Sequence, residues 1–149
     1  MTKTATEYGK EIVSLRKIWT NGCFDIIHRG HIELFKYAKS LGDELTVGID
    51  SDRKVTNDKG EERPINNLED GIEMLKAIRY IDKVMWFDSK EELKGLIKEY
   101  KPDIMVIGSD WRGKDVIGAE YAKEVRFFDR IEGYSTTNIL NGGPCCGKR

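Results

Sequence analysis

The stretch NGCFDIIHRGH, Asn21–His31, holds both histidines of the 149-residue chain, three apart around Gly30. Three kinds of chemistry suit such a pair: a metal site, a polar helix start, or an anion site. A zinc site needs further ligands, and only Cys23 and Asp25 lie near, with no other histidine and no nearby cysteine pair. No metal ligand set is therefore expected. An anion site draws on more of what is present. Gly22 and Gly30 allow tight backbone turns, and a helix starting at Gly30 would aim N–H groups back at the loop. Two imidazoles beside it would add directed donors, which suit charge that moves during phosphoryl or nucleotidyl transfer.

A second stretch, EGYSTTNIL (132–140), puts the hydroxyls of Ser135, Thr136 and Thr137 at another helix start, where simple N-capping is the ordinary reading. Lys54, Lys59, Arg63, Arg79 and Arg130 are the available cations, although most of those between 53 and 63 suit a solvated face. Trp19 belongs in a core. Trp111, in a polar loop after a strand, is better placed to touch substrate. Neither a Walker A loop nor a G-x-G-x-x-G fingerprint occurs.

These residues need a scaffold that gathers them, and the apolar periodicity supplies one. Strands are expected at 17–22, 44–50, 82–87, 103–108 and 126–128. Helices are expected at 30–43 with Gly42 as a stop, at 68–80, and at 89–100 with Ser89 and Glu92 as a capping box. A short helix is read at AEYAKEV, a last one opens at Ser135, and 51–67 reads as a charged loop. Strands alternating with helices specify an α/β fold, a Rossmann-like, doubly wound, parallel five-stranded sheet in a single domain. Residues 1–16 read as a polar arm, 17–140 as the domain and 141–149 as a disordered tail. In such a sheet ligands bind outside the carboxyl ends of the strands, where Asn21–His31, Ser51–Arg63, Gly108–Lys114 and Arg130–Thr137 all follow strands.

A formal net charge of -1 argues against nucleic-acid binding driven by overall charge. No apolar run nears the roughly 20 residues of a membrane span, and the first residues show no secretory leader. Three cysteines, Cys145 and Cys146 adjacent, make no disulfide framework, so a cytoplasmic location is expected.

NGCFDIIHRGH resembles the G-x-F-D-x-x-H-x-G-H signature of the cytidylyltransferase-like nucleotidyltransferases, and GYSTTNIL resembles their second signature. The likeness runs from about Lys17 to Leu140. It implies transfer of a nucleotide to a phosphorylated alcohol or sugar with release of pyrophosphate and with Mg²⁺ as cofactor. It implies roles at His28 and His31, which match the signature histidines on the triphosphate. The Gly22–Cys23–Phe24 backbone, Asp25 and Gly30 match the loop around the α-phosphate. Ser135, Thr136 and Thr137 match the second phosphate site, Arg130 the arginine before it, and Lys54, or loosely Lys59, the flexible-loop lysine. Asp110 is assigned to the nucleotide, and Trp111, Arg63 and Arg79 to the second substrate.

Two resemblances within the family cross. GSDWRGK, RIEGYSTT and IRYIDKV are similar to glycerol-3-phosphate cytidylyltransferase. TNGCFD, SD, KGEERPIN and STTNI are similar to the adenylyltransferase of heptose 1-phosphate. The expectation carried forward is a cytidylyltransferase moving CMP from CTP to a phosphorylated alcohol such as glycerol 3-phosphate. Adenylyl transfer to a sugar phosphate is the alternative, and a non-catalytic nucleotide-binding module another. The family also implies a homodimer. In LEDG, Gly71 stands where the family carries an arginine.

Overall fold

The computed structural model describes residues 15–24, 26–59 and 67–129. Five strands, β1 (Lys17–Gly22), β2 (Glu44–Asp50), β3 (Lys83–Phe87), β4 (Ile104–Gly108) and β5 (Glu124–Phe128), form one sheet in the order β3-β2-β1-β4-β5. Every pairing is parallel. This is the doubly wound arrangement that the alternating pattern specifies, and it places every strand's carboxyl end on one rim.

Helices cover both faces: α1 (Arg29–Ser40), α2 (Asp52–Lys59), α3 (Leu68–Lys76) and α4 (Lys90–Tyr100). On one face Ile18, Leu45, Val47, Ile49, Ile104 and Val106 meet Phe35 and Ala38 of α1 and Leu75 of α3. On the other, Trp19, Phe87, Met105 and Ile107 meet Leu93, Ile97 and Tyr100 of α4. The split follows the period of two along each strand. Burying each of these larger side chains contributes roughly 1.5–3 kcal/mol.

The elements differ from the sequence expectation where local polar chemistry outweighs apolar pattern. Residues 52–59, expected as loop, are helical. Ser51 Oγ accepts from the Lys54 backbone N–H at 3.1 Å and Asp52 sits in the first turn, a cap that a search for apolar periodicity passes over. Helix α3 is capped by the Asn67 side chain on Asp70 N–H and ends at Lys76, four residues early. Of the box expected at α4, Ser89 Oγ does accept from Glu92 N–H, but the Glu92 carboxylate reaches the backbone N–H of Asp88 rather than that of Ser89. AEYAKEV divides into a 3-10 turn, Ala119–Tyr121, and the start of β5. Gly42 stops no helix through a left-handed turn. It lets the chain pass the carbonyl of Arg16, which a Cβ there would approach to 2.7 Å. The arm, apart from Leu15 and Arg16, the tail and the helix read from Ser135 lie outside the described residues.

Candidate active site

The site grows from the carboxyl end of β1. Gly22 closes the strand, and a Cβ on it would press within 3.1 Å of the Phe24 ring. Phe24 takes a left-handed backbone, φ 47°, an arrangement costly for a residue with a side chain, and thereby tucks its ring under the loop. That ring is buried and meets His31 edge-on at 5.1 Å and Phe35 at 5.2 Å. Cys23, half-buried beside it, is in no disulfide.

The two histidines then begin α1 by capping it with each other. His28 Nδ1 accepts from Gly30 N–H at 3.0 Å, and His31 Nδ1 accepts from His28 N–H at 3.2 Å. The rings stack with centroids 3.9 Å apart. A neutral imidazole that accepts at Nδ1 carries its proton on Nε2, so both rings present an Nε2–H donor. Burial, and then the neighbouring His28, push the His31 pKa down to about 3, which keeps that ring neutral at pH 7. The helix start therefore differs from the expectation of open N–H groups. Gly30 N–H is held by His28 and His31 N–H by the His28 carbonyl.

Next along the rim, β2 and β3 end in a charged cluster. Ser51 N–H donates to the Phe87 carbonyl at 2.9 Å, and the Ser51 hydroxyl donates to the Asp88 carboxylate, which also pairs with Arg53. The Arg53 hydrogen bond, then that of Ser51, holds the Asp88 carboxyl below its usual range. Lys54 stands on α2 rather than in a loop. Its Nζ lies 3.7 Å from Asp50 Oδ1, both side chains largely buried, and 5.9 Å from the centre of the Phe87 ring. Asp50, Ser51 and Asp88 escape a reading by motif because their signal is spatial, the ends of two strands 37 residues apart.

On the other side of β1, β4 runs into a 3-10 turn, Ser109–Trp111, that carries Asp110 and leaves Trp111 48% exposed. Lys114 Nζ lies 5.9 Å from the Trp111 ring centre, and the Arg112 guanidinium covers the Phe127 ring of β5 at 5.0 Å.

One expected substrate residue is misplaced. Arg79 lies in the turn between α3 and β3, which enters β3 at its amino end, opposite the rim. There it is exposed and donates to Tyr80 Oη at 3.3 Å. Lys59 ends α2, and Gly71 is buried in α3, where an added Cβ would come within 2.9 Å of the Ile49 side chain of β2. Asp25, Arg63, Arg130, Ser135, Thr136, Thr137, Cys145 and Cys146 lie outside the described residues. Among the described residues no three His, Cys, Asp or Glu side chains converge to hold a metal ion, and no helix is long and apolar enough to cross a membrane.

The family model described as Cytidylyltransferase-like matches residues 19–141. This chain belongs to the cytidylyltransferase-like family. Its general chemistry is nucleotidyl transfer. Among curated relatives, a bifunctional protein HldE of Campylobacter fetus is 49% identical over 83% of this chain and 27% of its own length. One of Nitratiruptor is 44% identical over 98% of this chain and 30% of its own, and one of Helicobacter pylori 45% identical over 83% and 26%. The chain thus spans little more than a quarter of the length of the relatives it matches. The crystal structure of the lipopolysaccharide core biosynthesis protein from Thermoplasma volcanium is similar with a TM-score of 0.66 and 26% identity, over 80% of this chain and 100% of that one.

These relatives overturn the expectation of a cytidylyltransferase. They are HldE proteins, the group to which the adenylyltransferase likeness of TNGCFD, KGEERPIN and STTNI points. GSDWRGK runs out of β4, whereas IRYIDKV leads from the end of α3 into β3, away from the rim.

Proposed function

We propose that this cytidylyltransferase-like chain is an adenylyltransferase that joins AMP from ATP to a sugar 1-phosphate such as heptose 1-phosphate, releasing pyrophosphate. One observation carries the reading: His28 and His31 cap each other through Nδ1 and so hold two Nε2–H donors at the start of α1, above the end of β1. The HldE relatives support the choice of nucleotide and acceptor.

In this reading a phosphate oxygen of the sugar attacks the α-phosphorus in line. The new P–O bond forms as the bond to the bridging oxygen breaks, and that oxygen leaves with the electron pair on pyrophosphate. A phosphate oxygen needs no deprotonation, so the chain supplies position and charge stabilisation rather than a base. His28 and His31 donate to the α-phosphoryl oxygens and the leaving group. Lys54 brings a cation to the rim from α2, and from the turn after β4 Asp110 serves the nucleotide and Trp111 borders the acceptor. Gly22, Cys23, Phe24 and Gly30 shape the phosphate loop.

Asp25, Ser135, Thr136, Thr137, Arg130 and Arg63 complete the site by family likeness. Mg²⁺ would enter with the triphosphate, whose oxygens it prefers. The test is pyrophosphate release with ATP and CTP in turn, against heptose 1-phosphate and glycerol 3-phosphate. Release with ATP and the sugar phosphate alone is expected. Release only with CTP and glycerol 3-phosphate would refute the reading.

A further inference from the structure

Asn21 is the penultimate residue of β1, just before the phosphate loop, and its side chain is tied to the core. Trp19 is fully buried on the α4 face, and its indole Nε1–H donates to Asn21 Oδ1 at 2.8 Å. Residues 19 and 21 share a face because side chains alternate along a strand. Trp19 itself is wedged in place: a Cβ on Gly48, the β2 residue opposite Asn21, would lie 2.7 Å from its ring. An indole nitrogen donates only, so the atom facing it must be the amide oxygen, and the orientation of Asn21 is settled by chemistry. The oxygen points back along the strand toward Trp19. The NH₂ group, diverging from it across the amide plane, points forward to the strand's carboxyl end. That end lies where the strand order reverses, with β2 on one side of β1 and β4 on the other, the place where such sheets bind ligands.

Satisfying a buried indole requires only an acceptor. An aspartate would provide one but would put a negative charge beside bound phosphates, whereas an asparagine provides the acceptor and turns two donors to the rim. We infer that Asn21 is a binding residue whose amide N–H donates to a phosphoryl oxygen of a ligand in the active site, and that Trp19 is the positioning residue that aims it. The inference rests on the reading of this rim as the site for ATP and a sugar phosphate.

The test is calorimetric titration of the full chain with Mg-ATP and, separately, with heptose 1-phosphate, so that the arms identify whose phosphate Asn21 touches. Asn21→Asp keeps an acceptor for the indole and removes the donors. It should weaken one of the two ligands about tenfold or more, the scale of a lost hydrogen bond to a charged group. Trp19→Phe should weaken the same ligand, by less, while Asn21 is still present. Asn21→Ala, which removes the donors without adding a charge, is titrated alongside against the same tenfold criterion, with folding of both variants judged by their urea transitions. A purely structural Asn21 predicts that Asn21→Ala binds both ligands within twofold of wild type, and that result overturns the inference alone. A wild-type chain that binds neither ligand overturns the reading of the site as well.

Discussion

His31→Asn separates the imidazole's titration from its capping contact. In the folded chain the His31 pKa lies at about 3, against 6.5 for a solvated histidine. Between those values the unfolded chain binds a proton at this position and the folded chain does not. Stability therefore rises with pH through this window, and it is lost as pH falls below 6.5. The slope is about 1.4 kcal/mol per pH unit for a single proton. Lowering the pH from 7.5 to 4.5 crosses two units of the window, which amounts to about 3 kcal/mol. Against a total of about 5–15 kcal/mol for an ordinary domain, this is a large share. Asparagine does not titrate, and its Oδ1 can take the place of Nδ1 as acceptor for His28 N–H, which histidine holds at 3.2 Å. Urea unfolding of both proteins at the two pH values gives a double difference in which all other titrating groups cancel. Wild type should lose about 3 kcal/mol more than His31→Asn. Losses equal within about 0.5 kcal/mol would show that His31 is not buried as a neutral ring, and the donor argument would fall with it.

Three further outcomes follow from the packing and the site. His28→Ala should lower the rate of pyrophosphate release at least a hundredfold, as for loss of a transition-state donor, and also remove about 1 kcal/mol of helix capping in a thermal melt. Gly48→Val should destabilise the fold by about 1–3 kcal/mol in a urea titration, because Trp19 and Phe87 leave no room for the added atoms. Trp111→Ala should raise the KM for the sugar phosphate while the unfolding midpoint stays nearly unchanged, since the ring is largely outside the core.

The sheet was legible in the sequence because its signal is apolar and periodic. IWT, LTVGI and IMVI are buried runs, and their alternation with helices left one topology. The histidine pair was legible as chemistry, but its self-capping was not, since capping by imidazole has no residue-type signature comparable to Ser or Asp. Helix α2 was hidden because DRKVTNDK has almost no apolar face and is set instead by the Ser51 hydroxyl. Arg79 was misplaced because it was picked as a cation by residue type, whereas a helix returning antiparallel to the strands ends at their amino ends, away from the rim. The Asp50–Lys54 pair and the Ser51–Asp88 bond arise from neighbouring strand ends, and no local pattern announces such neighbours.

The central position of β1 has a consequence for synthesis. Its partner on one side, β2, follows within 27 positions, as the bond from Arg16 to Asp43 measures. Its partner on the other side, β4, comes much later, as the bond from Lys17 N–H to Asp103 spans 86 positions. At about 5–20 residues per second, a ribosome takes several seconds to supply that second neighbour. Until then the β1 edge at Ile18 and Trp19 lacks the strand that satisfies its backbone N–H and C=O groups. The crevice beside Asn21 and the histidines is thus the last part of the rim to acquire its second wall, so a nascent chain arrested before β4 carries both histidines without a closed site.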